Sequence, residues 1–426
     1  MEQDAKGIRS QSATYPKVQN LMHNVNEEAL MEKHVKQSRK KATGVDGIGK
    51  CEYEENAEGN IADLVRRMKR FCYKPQPVRR TYIPKADGKQ RPLGIPAYED
   101  RLVQGVMADL LNEVYEVRFL ECSYGFRPER SAHDVVGYIN ETIMSRKVNC
   151  VLEADIKGFF DNVNHDWLMK FLANDIQDKN FLRYVKRFLI AGIMEGTEVL
   201  ESDKGTPQGG QISPILANVY LHYVLDLWFE RVIKPKLRGE AHYVRYADDF
   251  LIMFQHEDEA KKVLEVLKTR LSKFSLEIAE GKTRIVPMGR FKGTKENFDF
   301  VGFTFYNTKS HKGKYRIGIR TSAKKLKAKR QAAKEWLRTR LTKPVSETMI
   351  KLAAALRGHY NYYGVNGNYK FLKKFWNYVM YTTYRMLNRR DQKGKLQPSK
   401  FMRIWSYYIE NPRLTKDIWN WQPKTA

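Results

Sequence analysis

His242-Tyr-Val-Arg-Tyr-Ala-Asp-Asp-Phe-Leu-Ile-Met-Phe254 consists of two β-rich apolar runs, His242–Ala247 and Phe250–Phe254, flanking two adjacent carboxylates, Asp248 and Asp249. A two-residue hairpin turn prefers Asn-Gly or Asp-Gly, and neighbouring like charges repel, so this turn breaks its local rule. A divalent cation is the simplest compensating ligand for such a pair. A further carboxylate, Asp155, ends the apolar run Val148–Asp155 within Glu153-Ala-Asp-Ile-Lys-Gly-Phe-Phe160. If the strands pair side by side, Asp155 and Asp248 converge. An isolated Asp-Asp usually does no more than cap a polar turn; a third carboxylate on a neighbouring strand reverses that reading. Three such oxygen ligands at a strand end can hold two Mg²⁺, one activating an attacking hydroxyl and the other stabilising a leaving pyrophosphate.

Outward from that centre, Gly205-Thr-Pro-Gln-Gly-Gly210 precedes a long helix opened by Ser213-Pro214, read with Ser as N-cap and Pro at the first helical position. Its amides face a phosphate or a base pair, and Gln208 offers a side-chain amide. Upstream, Val78–Pro84 and Gln90–Ile95 are strand-like runs joined through Asp87-Gly88, a hairpin signal. Lys85 as a point charge and Arg91 as a bidentate fork suit a triphosphate. Helical periodicity covers Asn26–Lys41, Ile61–Arg70, Asp100–Phe119 and Glu257–Ser275, while Phe298–Phe305 reads as one strand. The middle of the chain is mixed α and β; everything after Thr321 is mostly helical, with a turn near Gly364–Gly367.

The 426 residues carry 76 Lys+Arg against 49 Asp+Glu, a formal charge of +27. Residues 321–426 hold 24 of those cations, only 5 acids and 17 of the 51 aromatics. Cations displace counterions from phosphates and aromatic faces stack on unpaired bases, so this segment suits nucleic acid better than a membrane surface. Lys373, Lys374, Arg389 and Arg390 are the candidate RNA contacts. Cys51, Cys72, Cys122 and Cys150 form no CxxC pair, which disfavours a disulfide framework and a zinc ribbon and points to a reducing, cytoplasmic compartment. The opening residues lack a signal-peptide core. The most apolar long stretch, Ile212–Phe229, is broken by Asn218, His222 and Asp226, so no membrane span is expected.

Taken in order, TYIPKADGKQRPLGIP, CSYGFRPERSAHDV, LEADIKGFFDNVNHDWL, GTPQGGQISPILANVYL, VRYADDFLIMF, EGKTRIV and FDFVGFTF resemble the motif series of group II intron reverse transcriptases. LRGHYNYYGVNGNYKFL and YRMLNRRDQKG resemble that family's maturase, or X, domain. The resemblance spans roughly residues 40 to 410. It implies an α+β right-hand polymerase with an antiparallel palm sheet: an N-terminal extension (1–55) that helps hold the template, fingers (56–147), palm (148–320) and an α-helical thumb or X domain (321–426). It also implies that Asp155, Asp248 and Asp249, with the Ile156 carbonyl, bind two Mg²⁺, Mn²⁺ being a substitute. Phe160 then falls at the steric gate against a ribose 2′-hydroxyl, Lys85 and Arg91 at the incoming dNTP, Gln208 beside the nascent pair and Lys282 near the pyrophosphate. Arg127 supports the fingers or template strand, and Gly302 lies in Val301-Gly-Phe303, which resembles the primer grip.

The expected partners are an RNA template, a DNA or RNA primer, dNTPs and group II intron RNA. The expected activity is RNA-directed DNA synthesis with assistance to splicing. The sequence lacks the Cys/His-rich endonuclease region of fuller members, so it is not expected to cut a second target strand. Rival readings are a domesticated relative serving DNA repair, phage defence or CRISPR spacer acquisition, an RNA-binding maturase without polymerase activity, and a basic structural RNA-binding protein. The three aspartates disfavour the last two, since a decayed site has no reason to keep costly clustered charge.

Overall fold

The computed structural model describes residues 2–84, 90–196, 198–200, 204–206, 209–292, 296–390 and 396–422. Four helices open the chain: α1 (Glu2–Thr14), α2 (Glu27–Lys36), α3 (Lys50–Glu54) and α4 (Ala57–Lys69). Asn26 begins α2 by accepting a hydrogen bond from the Ala29 amide at 2.9 Å. Ile8, Val18, Leu21 and Leu30 are buried in the same core as α5 (Tyr98–Tyr115), so this polar opening segment is packed onto the body of the protein. The hairpin expected around residue 87 forms as β1 (Val78–Pro84) and β2 (Gln90–Ile95), antiparallel with Pro84 opposite Gln90; its turn lies outside the described residues.

After α6 (Ala132–Ser145), begun by a reciprocal capping box between Ser131 and Asp134, comes β3 (Cys150–Asp155). The chain continues through α7 (Phe159–Asn162), α8 (His165–Asp175), α9 (Lys179–Leu189), β4 (Ile193–Glu195) and β5 (Glu198–Leu200). β4 pairs in parallel with β1, completing a four-stranded sheet ordered β2-β1-β4-β5. The predicted long helix begins as α10 (Ser213–Leu221) and runs on through wider π-type turns at His222–Asp226 and Phe229–Ile233. Its N-cap position is Ile212 rather than Ser213, which is already helical and buried.

The central sheet, ordered β6-β7-β3-β8, joins β6 (Ala241–Tyr246) and β7 (Asp249–Phe254) to β3 and, beyond α11 (Glu257–Lys273), to β8 (Arg284–Pro287). Strand alternation sends neighbouring residues to opposite faces. Cys150, Leu152, Ala154, Phe250 and Ile252 enter one core with α5, α8 and α10; Val151, Leu251, Met253 and Val286 enter a second. That two-sided burial is why β3 and β7 read as near-continuous apolar runs. The second core also takes a three-stranded sheet of β9 (Asn297–Phe300), β10 (Phe303–Lys309) and β11 (Tyr315–Thr321). It is completed by α12 (Ala323–Arg338), α13 (Val345–Tyr363), α14 (Tyr369–Asn388) and α15 (Pro398–Tyr408). The single strand expected over Phe298–Phe305 is therefore two strands. The chain reverses at Val301-Gly302, with Phe300 opposite Phe303 and φ of +41° and +83° at the turn.

Candidate active site

In the central sheet Asp155 lies opposite Asp249, and Tyr246 opposite Asp249 on the other side. Ala247 and Asp248 thus form the two-residue turn between β6 and β7. Ala247 has φ +58°, left-handed backbone that costs an L-residue about 1–3 kcal/mol. The strain is held by a buried polar node. Arg245, fully buried, donates to Asp226 from Nε at 2.8 Å and Nη2 at 2.6 Å, to Ser123 Oγ at 2.8 Å, to Asn218 Oδ1 at 2.9 Å and to the Ala247 carbonyl at 3.0 Å. Tyr243 adds a 3.0 Å hydrogen bond to Asp226, and Asn218 Nδ2 donates to the Gly125 carbonyl at 2.7 Å. Backbone bonds from Arg245 N to Cys122 O (2.8 Å) and from Tyr124 N to Arg245 O (2.9 Å) lay the 122–125 segment beside β6. Gly125 is required there, since a Cβ would lie 2.3 Å from the Ala247 nitrogen.

None of Arg245, Asp226, Asn218, Ser123 or Gly125 was singled out as a site residue from the sequence. Two were nonetheless visible, because Asn218 and Asp226 are interruptions of the apolar stretch Ile212–Phe229. An arginine in the β-rich run His242–Ala247 is the third such signal.

The carboxylates interact strongly. Burial, then the Asp248 and Asp155 charges, pushes the Asp249 carboxyl from 3.8 up to about 7, although its side chain reaches solvent. Burial, with the Asp155 charge, also raises Asp248, while Arg91 and Lys282 pull it down. The Lys282 ammonium contacts the Asp155 carboxylate, and that contact is the first cause of its raised pKa. Among the described residues no three acidic, His or Cys side chains are gathered closely enough to hold a metal ion. The donor set is three hard carboxylate oxygens at one strand end, repelling each other and partly offset by a lysine. Its chemistry suits a hard divalent cation.

Around this end, Ile156 has a buried side chain and its backbone bridges Ile278. The Thr206 amide donates to the Phe160 carbonyl at 2.8 Å, Gly205 N to the Val163 carbonyl at 2.7 Å, and His165 Nε2 lies 2.6 Å from the Gly205 carbonyl. Phe160 therefore sits against the glycine-rich loop, half-buried on Phe159. Past that loop, Gly209 (φ +119°) passes so close to β2 that a Cβ would lie 2.4 Å from the Gly94 carbonyl. Arg91 is on β2, on the exposed edge, within electrostatic reach of Asp248. Lys85 and Gln208 lie outside the described residues.

Other sequence candidates separate from the carboxylates. Arg127 is only 2% exposed, its guanidinium donating to Glu116 and to the Leu120 and Ser123 carbonyls. It braces the 120–127 loop, and its charge is not presented to a template strand. Gly302 is held by Ser322 N donating to its carbonyl at 3.0 Å, and the neighbouring Val301 carbonyl accepts from Tyr362 Oη at 2.8 Å. Tyr360 and Tyr363 are core residues; Tyr362 is the partly exposed member. Lys373 covers the Trp376 ring at 3.9 Å, and Lys374 approaches Phe371. Arg389 and Arg390 are exposed at the far end of α14, about 24 Å along its axis, so the four cations do not form one patch.

The geometry sets two expectations. Asp226→Ala leaves the buried Arg245 guanidinium without its carboxylate and should destabilise the protein by about 3–5 kcal/mol in urea unfolding. A carboxyl whose pKa rises on folding stabilises the fold below its ordinary value and loses that contribution as pH climbs through the folded value. With chelator present, stability should therefore fall between about pH 4 and pH 7. Asp249→Asn should remove that component, raising stability at pH 8 by ~1 kcal/mol once solvent screening is allowed for. Divalent cations should stabilise the wild type and not this variant.

Comparison with known proteins agrees with the geometry. The family described as reverse transcriptase (RNA-dependent DNA polymerase) matches residues 83–305, more than half of the chain. Group II intron-encoded protein LtrA of Lactococcus lactis subsp. cremoris is 33% identical over 264 residues, covering 58% of this chain and 44% of that protein. Protein YkfC of Escherichia coli (strain K12) is 31% identical over 315 residues, covering 64% of this chain and 78% of YkfC. An uncharacterized 91 kDa protein in the cob intron of Schizosaccharomyces pombe is 37% identical over 197 residues, 44% of this chain and 24% of its own length. The chain spans less than half the length of these two intron-encoded relatives. With its α+β architecture, its carboxylates at one end of an antiparallel sheet and its helical C-terminal region, the chain belongs to the reverse transcriptase family, among the group II intron-encoded reverse transcriptases and maturases.

Proposed function

We propose that this protein is an RNA-directed DNA polymerase of the group II intron type, extending a DNA or RNA primer along an RNA template from dNTPs. The observation that carries this reading is the placement of Asp155, Asp248 and Asp249 at one sheet end, with the charge of Arg91 reaching Asp248. In this reading residues 56–147 are fingers, 148–320 palm and 321–426 thumb, and 1–55 an extension that helps hold the template. The three aspartates and the Ile156 carbonyl would hold two Mg²⁺, or Mn²⁺ in their place, and the bound ions would lower the pKa of the primer 3′-hydroxyl and stabilise the leaving pyrophosphate. The hydroxyl attacks the α-phosphorus of the dNTP, forming the new phosphodiester as the bond to pyrophosphate breaks.

The protein's own part is positioning. Arg91, with Lys85, grips the triphosphate, and Gln208 lies beside the new base pair. Lys282 exchanges its contact with Asp155 for the leaving pyrophosphate. The Phe160 ring, supported by Phe159 and the Gly205-Thr206 segment, takes the volume a ribose 2′-hydroxyl would need, so selectivity comes from a clash. The turn at Val301-Gly302, held by Tyr362, is the candidate primer contact. The basic helical region binds intron RNA and assists its splicing. A maturase without polymerase activity is disfavoured by the cost of keeping three mutually repelling carboxylates. No helix among the described residues is long and apolar enough to cross a membrane.

Primer extension on a defined RNA template, with dNTPs and Mg²⁺, tests the reading. Wild type should synthesise DNA, and Asp248→Ala should fall to background while still binding RNA; two inactive proteins that both bind would leave the maturase reading in place. Phe160→Ala should improve relative use of rNTPs by at least about tenfold, equivalent to ~1.4 kcal/mol of discrimination.

A further inference from the structure

α12 and α14 enclose a cavity of about 300 Å³ remote in sequence from the carboxylates. On α12 it is lined by Lys334, Leu337 and Arg338, and on α14 by Tyr381, Arg385 and Met386, with Arg389 at the cap just past its end. Both sets recur at helical spacings of three and four, so two facing helix stripes build the walls. Leu337 and Met386 are buried and form an apolar floor. Lys334, Arg338, Arg385 and Arg389 bring four positive charges to the rim with no acidic residue in the lining, and among the described residues none has a carboxylate partner. Clustered like charge is unfavourable until an anion arrives. The cavity is not a bare cation patch, since Tyr381 is 59% exposed at its edge, with the Arg385 guanidinium 5.7 Å from its ring centre.

An exposed aromatic face beside phosphate-sized positive charge is the combination that holds an unpaired base together with its backbone. The volume lies at the small end of ligand clefts, right for one nucleotide unit and too small for a duplex. We propose that the hollow between α12 and α14 receives a single unpaired nucleotide of a bound RNA, its phosphate among Arg338, Arg385 and Arg389 and its base on Tyr381. The proposal rests on the RNA-binding part of the function above and needs none of its polymerase chemistry.

Full-chain protein titrated by fluorescence anisotropy with a labelled single-stranded oligoribonucleotide, and separately with an RNA duplex of equal length, tests it across a range of salt. Tyr381→Ala should weaken single-strand binding between about fivefold and a hundredfold at unchanged salt slope, Tyr381→Phe should restore it, and duplex binding should not move. Arg385→Gln should lower the single-strand salt slope by about 0.7. Equal losses on single strand and duplex, or no loss with Tyr381→Ala, would overturn the proposal. Asp248→Ala should keep the wild-type binding pattern. A wild type that binds in this way yet extends no primer would defeat the polymerase reading alone; one that extends primers but ignores Tyr381 would defeat the nucleotide site alone.

Discussion

The carboxylate turn depends on the buried pair between Arg245 and Asp226. A two-residue turn of Ala247 and Asp248, strained at its first residue and carrying adjacent negative charge, has no local reason to form. Arg245 supplies one from inside the protein. Its guanidinium spends its donors on Asp226, Asn218, Ser123 and the Ala247 carbonyl, fixing the turn to α10 and its continuation and to the 122–125 segment at once. A buried ion pair is a poor source of net stability, because desolvation offsets most of the Coulombic gain. Its value here is positional: it holds the turn that carries Asp248 and Asp249 at the strand end where Asp155, on β3, lies opposite Asp249.

That register is protected from both sides. Because β3 and β7 bury residues on both faces, sliding either by one residue would exchange two complete apolar sets and move Asp155 away from Asp249. The second core runs from the central sheet through β9–β11 into α12–α15, so the basic helical region is packed onto the sheet that carries the aspartates. Tyr362 illustrates the continuity, since α13 reaches through its hydroxyl to the Val301 carbonyl while its ring stacks on Phe303. The basic helical region and the sheet end that carries the aspartates are thereby parts of one packed unit.

Much of this was legible in the sequence. Alternation and turn chemistry mark β1, β2, β3, β6 and β7, and the rule-breaking Asp248-Asp249 pair marks the centre of the candidate site. What stayed hidden depended on partners distant in the chain. Arg245 meets Asp226 nineteen positions away and Ser123 much farther, and no local pattern announces either contact. The reversal at Val301-Gly302 was masked because Phe298, Phe300, Phe303 and Phe305 keep an aromatic pattern across it, while the strain at Val301 is met by Tyr362 from another element. The motif around Arg127 suggests support for the fingers or template strand, and only tertiary structure shows its guanidinium buried against Glu116. The parallel pairing of β4 with β1 likewise joins segments more than a hundred residues apart.

As proposed, Asp155, Asp248 and Asp249 form a divalent-cation site for nucleotidyl transfer, held in place by the Arg245 node. Anomalous diffraction from crystals grown with Mn²⁺, a primer–template and a non-extendable dNTP tests this most directly. Manganese should appear between the three carboxylates and the triphosphate, with Lys282 drawn off Asp155. Crystals holding the nucleotide with no manganese there, and Lys282 still paired to Asp155, would contradict it.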